Sequence, residues 1–419
     1  MAALMLAVFT VSIGYGVTLP LLPYSLERSI GAGITTLQVS RHTGLLAAIY
    51  LLALVLFAPS WGQLSDRIGR QRILIVGLSG FATTMLAFSF LGGLWALYLE
   101  RFLSGMFAAA ITPVASALVG DATSSENSGA RRLTMLSLAG MSGFLLGPML
   151  GVFVSRVVSD LWGGAEVSMS MAVPLRSTAF LAAVALILAC GIEANLWASG
   201  VGRNAKSAIS ARSDGVNRAL LALTFVVSSG VGAFEVDLAL RGERVLGLAP
   251  YQIALMFTEC SLVMILAQVI AFSPWLKPIS TRWLIAPSLA LLAGGLFVAP
   301  YAASFPVMLA VVAVVSGTAG ILAPILTYWI SLKAGTARGS ALGRQTAASS
   351  LGGAVGSVLG GFLLGIGPLS NSSFILISGS TLVAALLSFK LPRSLARDSD
   401  AIALPQRSVR ETSARESSS

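Results

Sequence analysis

Gly62-Gln63-Leu64-Ser65-Asp66-Arg67-Ile68-Gly69-Arg70-Gln71-Arg72 is a short hydrophilic turn between two long apolar runs, and how it is read decides the fold. Gly62 removes a side chain where the first run ends, so a neighbouring helix can approach closely. Asp66 can accept hydrogen bonds at a helix N-terminus, where the backbone dipole favours an anion. Arg67, Arg70 and Arg72 can reach lipid phosphates or pair with carboxylates. From composition alone, an ordinary basic loop beside a membrane accounts for the stretch equally well.

The runs on either side set the context. Of 419 residues, 56% are apolar and 11% charged, against about 25% charged in a soluble domain, so lipid is the main solvent. Crossing about 30 Å of hydrocarbon takes about 20 helical residues. Twelve such runs can be read, at 2–24, 43–63, 73–93, 94–118, 133–155, 172–192, 219–240, 252–273, 283–302, 305–329, 344–366 and 373–391. The first lacks a basic n-region and a small-x-small cleavage site, which makes it a retained span rather than a secretion signal. No basic residue precedes it, which leaves open that the chain begins upstream of Met1.

An even number of spans puts both termini on one side. Of the 27 basic residues, 20 lie in loops or tail on that side, six lie opposite, and Arg101 lies within a span. The positive-inside rule therefore places both termini in the cytoplasm of a multi-pass cell-membrane protein. The net charge of +10 does not point to nucleic acid, because the basic residues sit in short clusters between apolar runs. Cys190 and Cys260 both fall inside apolar runs and read as small buried side chains, with no metal or disulfide pattern. The single histidine, His42, reads as a solvated residue at the mouth of a span. No nucleophile pair, metal cluster or phosphate-binding glycine loop is present, so neither an enzyme nor an ATP-driven pump is expected, and no cofactor.

The loop 194–217 divides the spans six and six, which predicts bundles at 1–193 and 218–391 and a disordered tail at 392–419. The halves echo one another. Gly143, Gly147 and Gly151 follow Ala130-Arg131, as Gly352, Gly356 and Gly360 follow Ala337-Arg338. Gly14-Tyr15-Gly16 parallels Gly230-Val231-Gly232, and Ser104-Gly105 before Pro113 parallels Ser316-Gly317 before Pro324. A duplicated six-helix unit is a layout common among secondary transporters.

In a twelve-span chain, Gly-x-Leu-x-Asp-Arg-x-Gly-Arg between spans 2 and 3 resembles the signature of the major facilitator superfamily. The resemblance covers about residues 2–391. It implies an all-α membrane protein of twelve transmembrane helices in two pseudo-symmetric six-helix bundles. It also implies a cytoplasmic latch of Gly62, Asp66, Arg67, Gly69 and Arg70, with Asp121 at the end of span 4 as partner. The corresponding stretch after span 8, 275–282, has lost the pattern. Arg101, followed by x-x-x-Gly105, matches an arginine that the family implicates in proton coupling; an arginine this deep in a span is functional by default. In span 5, Gly143, Gly147, Pro148 and Gly151 resemble the family's antiporter motif, ending Gly-Val where the family form ends Gly-Gly.

Glu100, Glu235, Asp237 and Glu259 are the acidic residues within spans. Glu235 and Glu259 lie at depths similar to Arg101 and are expected to share one cavity layer with it, where a low dielectric helps an acid hold a proton. The alternative is that Glu235 and Asp237 pair with Arg241 or Arg244 at the rim. Tyr15, Thr18, Gln268 and Gln345 are candidate polar wall residues. Phe107, Phe144 and Phe234 are aromatic wall candidates, with lipid-facing packing the default. The expectation is a monomeric proton-coupled exporter of amphipathic small molecules; the same fold importing a sugar or organic acid, with Arg101 as counter-ion, is the alternative.

Overall fold

The computed structural model describes residues 1–30, 35–121, 126–162, 172–191, 215–271, 278–334, 338–363 and 372–389. The linker predicted at 194–217 is outside the described residues as far as 214, and the tail at 392–419 is outside them entirely.

Twelve long helices follow one another among the described residues: α1 (Ala2–Ile30), α2 (Thr36–Ile68), α3 (Arg70–Phe88), α4 (Leu94–Asp121), α5 (Glu126–Trp162), α6 (Ala172–Cys190), α7 (Gly215–Arg244), α8 (Pro250–Ala271), α9 (Ile285–Val298), α10 (Phe305–Ala334), α11 (Arg338–Leu363) and α12 (Ser372–Ser388). Nine of them are long and apolar enough to cross a membrane. Several outrun the apolar stretch that announced them. Thr35 starts α2 seven residues earlier than the hydrophobic run, through a reciprocal cap with Gln38. The ninth span is the reverse case: its helix ends at Val298, and Pro300 falls in a 3-10 turn at Ala299–Tyr301. Many buried hydroxyls bond back to their own helix, as Thr10 does to the Leu6 carbonyl and Thr43 to that of Val39, which satisfies them without water.

Gly69 alone separates α2 from α3, at φ 103°. An L side chain rarely adopts that conformation, so this glycine of the signature turn is required by backbone geometry.

Neighbour relations obey a six-helix shift. α1 packs on α5 as α7 packs on α11, α2 on α4 as α8 on α10, and α3 on α6 as α9 on α12. The echoed glycines make these crossings. A Cβ on Gly143 would stand 2.3 Å from the Phe9 carbonyl oxygen, and one on Gly352 would stand 2.3 Å from that of Phe225. Gly147 meets Ile13, and Gly356 meets Ser229, in the next turn. Gly16 meets Phe144 as Gly232 meets Gly353. One parallel needs correction. Gly105 abuts Tyr50, but its counterpart on α10 is Gly320, which abuts Met264; Gly317 meets only the Val263 side chain at 3.5 Å.

The two halves join along α2–α11 and α5–α8. The seam is shut on the face opposite the termini, called here the far face. There Ser40 donates to the Gly361 carbonyl at 2.6 Å, Arg41 lies over the Phe362 ring, and Tyr24 donates to the Leu248 carbonyl at 3.1 Å. Arg244 of the second half pairs with Glu27 of the first and donates to Thr36. Gly44 and Gly361 bring the backbones of α2 and α11 into contact, since a Cβ on Gly44 would lie 2.4 Å from the Ser357 carbonyl oxygen. At the termini face the same helices leave space. Among the described residues, no atom comes within 4 Å of where a Cβ would stand on Gly62 or Gly343.

Candidate functional site

A cavity of about 400 Å³ lies between the halves, lined by α1, α2, α4 and α5 on one side and α7, α8, α10 and α11 on the other. Its two walls differ. Tyr15, Tyr50 and Phe144 give the first half an aromatic wall, with ring centroids 5.0 Å apart for Tyr15–Tyr50 and 5.8 Å for Tyr15–Phe144. The second half adds no ring to the described lining; hydroxyls come from both halves, Ser12 and Thr112 on the first and, on the second, Ser350 with Ser228 and Ser349, whose oxygens are 2.7 Å apart. Glu235 is the carboxylate among the described lining residues. Its Oε2 accepts a hydrogen bond from the Tyr15 hydroxyl at 3.1 Å, a bond from α1 to α7 across the seam.

Arg101 stands behind the aromatic wall, 1% exposed. Its Nε donates to Glu100 Oε2 at 2.7 Å and its second terminal nitrogen to Oε1 at 3.0 Å and to Thr18 Oγ1 at 2.8 Å. Thr18 in turn donates to the Gly14 carbonyl. Burying two charges is tolerable only with this degree of pairing and hydrogen bonding. The guanidinium lies 5.5 Å from the Tyr50 ring centroid. A continuous series of contacts, Glu100–Arg101–Tyr50–Tyr15–Glu235, therefore runs from inside the first half to the cavity.

The other predicted residues lie elsewhere. Glu259 of α8 does not line the cavity; it is half-buried, and its buried Oε2 has no hydrogen-bond partner among the described residues. Asp237 pairs with Arg241 at 3.3 Å, and Arg241 also donates to the Pro300 carbonyl, tying α7 to the end of α9. Thr18 serves Arg101, Gln345 donates to Thr327 at 2.6 Å, and Gln268 is half-exposed outside the lining. Phe234 is in the core, and Phe107 packs on Trp61 and Gly80. The small-buried reading of both cysteines holds for Cys260 only; Cys190, the last residue of α6, is exposed. His42, near the start of α2, is half-buried, its Nδ1 2.8 Å from the Tyr98 hydroxyl.

Gly62, Asp66 and Arg67 lie in the last two turns of α2, Gly69 links it to α3 and Arg70 opens α3, so Asp66 stands at the C-terminal end of a helix and not at the N-terminus expected for it. Asp66 is 68% exposed on its side chain and pairs within the turn with Arg70 at 3.5 Å. The Asp121 side chain lies outside the described residues. Gly143, Gly147 and Gly151 face α1, and Gly16 packs against the Pro148 ring. Tyr50 and the hydroxyls of Ser228, Ser349 and Ser350 went unremarked in the sequence. For α11, a Ser349-Ser350 pair just before the glycines that face α7 was the available signal.

The family model described as Major Facilitator Superfamily matches residues 4–234 and 219–417. Multidrug resistance protein 2 of Bacillus subtilis (strain 168) is 24% identical over 390 residues, covering 89% of this chain and 91% of that protein. Quinolone resistance protein NorA of Staphylococcus aureus is 26% identical over 359 residues, covering 86% of this chain and 88% of that protein. The crystal structure of the human organic anion transporter MFSD10 (TETRAN) covers 92% of this chain and 98% of its own, at 19% identity and a TM-score of 0.69. At that identity the likeness concerns the fold alone.

Proposed function

The chain belongs to the major facilitator superfamily and is a membrane transporter, and from that premise we propose that it exports amphipathic small molecules in exchange for protons. The observation that carries this reading is the cavity between the halves, where one carboxylate, Glu235, faces an aromatic wall. Aromatic faces accept flat apolar groups and favour cations. A carboxylate in low dielectric holds either a proton or a cationic substrate, and that exclusivity is what exchange requires. Half-buried Glu259 is the second candidate proton carrier. The multidrug and quinolone resistance proteins among the relatives support the export direction.

Both termini lie in the cytoplasm in this reading, from the excess of basic residues on their side. The closed far face then makes this the inward-facing state, ready to load substrate from the cell or the inner leaflet. Alternating access rocks the halves about the cavity, opening the far-face contacts and bringing the Asp66–Arg70 turn, with Asp121, into its latched arrangement. The importer reading, with Arg101 as counter-ion to an anion, loses support because Glu100 and Thr18 already occupy that guanidinium.

The test uses inverted vesicles with an imposed pH gradient. Lipophilic cations and neutral drugs are added, and proton release from the lumen is followed for the unsubstituted protein and for Glu235→Gln at equal membrane levels. Substrate-dependent release that Glu235→Gln abolishes is expected. A panel that evokes no proton movement would sink the drug-export assignment and leave the transporter fold intact.

A further inference from the structure

We propose that Tyr15 is a built-in competitor for the cavity carboxylate: in the empty cavity its hydroxyl occupies the place on Glu235 that a substrate's positive group takes on binding. The proposal rests on Glu235 being the cation-accepting group of the cavity. Tyr15 donates to Oε2 at 3.1 Å, and both residues line the cavity, so an incoming ligand reaches the same oxygen. The hydroxyl is aimed. Its ring is held between Tyr50 and Phe144, at 5.0 and 5.8 Å, and Tyr50 is backed by Arg101.

Two consequences follow from that placement. A phenol is a neutral donor and is displaced readily only by a stronger partner for an anion, which a full positive charge is. A neutral aromatic ligand gains nothing from the carboxylate and can use the ring faces while the Tyr15–Glu235 bond stays in place. Tyr15 therefore sets the preference for charge in a cavity whose aromatic wall alone would accept neutral and cationic drugs alike. The bond also joins α1 to α7 across the seam. A cation that displaces it removes a tie between the halves, so loading and loosening are one event. Tyr15 is thus a positioning and specificity residue, acting on the ligand through Glu235.

The test measures equilibrium binding of tetraphenylphosphonium and of neutral triphenylphosphine oxide to the purified full-length protein in nanodiscs. Tyr15→Phe keeps the ring and removes only the donor. It should lower the Kd for the cation about tenfold, the order expected for one hydrogen bond to a charged group, and leave the neutral ligand's Kd unchanged. The gain should vanish when Glu235→Gln is added. If Tyr15→Phe left cation binding unchanged or weaker while Glu235→Gln alone still weakened it, the competitor role would be overturned by itself. A gain that persisted in the Glu235→Gln background would also overturn it, since the effect would then come from packing. Cation binding indifferent to Glu235→Gln, or absent from the unsubstituted protein, would overturn the role of Glu235 and this proposal together.

Discussion

Adding one carbon to Gly44 should redistribute the protein between its two access states without unfolding it. On Gly44 a Cβ would stand 2.4 Å from the Ser357 carbonyl oxygen and 2.8 Å from Gly361 Cα, distances that real Cβ atoms, which stay beyond 3.0 Å, do not show. Both obstacles are backbone, so no rotamer change relieves them. From 2.4 to 3.0 Å, α2 and α11 must part by at least 0.6 Å at the far face. Overpacking of this kind costs about 1–3 kcal/mol. Because the contact bridges the halves, the cost falls on the far-closed state alone, and the ratio of states moves by about 5- to 150-fold. The assay is labelling of a Ser349→Cys reporter in the cavity by a membrane-impermeant maleimide from the far face, with Cys190 and Cys260 replaced by alanine. Gly44→Ala should raise the labelling rate at least about fivefold, the lower end of that range. Gly356→Ala is the contrast. There the Cβ would lie 1.9 Å from the Ser229 carbonyl, within one half, so both states suffer equally and the amount of folded protein should fall. Normal expression of Gly44→Ala with an unchanged labelling rate would refute the reasoning.

Arg101→Ala strands the Glu100 carboxylate in the interior and should cost about 3–5 kcal/mol, seen as a lower unfolding temperature in detergent. Removing both charges should recover part of that loss. Asp66→Asn touches a solvent-exposed pair at 3.5 Å, so stability should change by no more than about 0.5 kcal/mol. If the proposed latch engages in the far-open state, its effect should appear in transport rate; a large drop in unfolding temperature would count against this.

The fold was legible in the sequence because lipid imposes its signals locally. Runs of apolar residues, clusters of arginine between them and the spacing of Gly143, Gly147 and Gly151 against Gly352, Gly356 and Gly360 each follow from one helix at a time. The site depends on partners far apart in the chain. Tyr15 and Glu235 are 220 positions apart, and nothing in either stretch names the other. The Glu100–Arg101 pair was obscured for a different reason. Adjacent helical residues ordinarily point about a quarter-turn apart and do not meet, so Glu100 read as one more cavity charge. The long Arg101 side chain, held by Thr18, turns back far enough to meet both Glu100 oxygens and overcomes that geometry. Gly44 and Gly361 carry no pattern, and only docking of the halves gives them a role.

The Gly44–Gly361 seam bears on leakage. An exchanger dissipates the gradient it lives on if water threads through it, because protons hop along hydrogen-bonded water far faster than any helix moves. Side chains meeting at a gate leave crevices as they change rotamer. Two backbones in van der Waals contact leave no gap that a water molecule could enter, and a glycine surface has no rotamers to change. In the proposed exchange cycle, bare main chain at Gly44 and Gly361, flanked by the Ser40, Arg41 and Arg244 contacts, puts few movable atoms into the closed side of the cavity while the other side stands open.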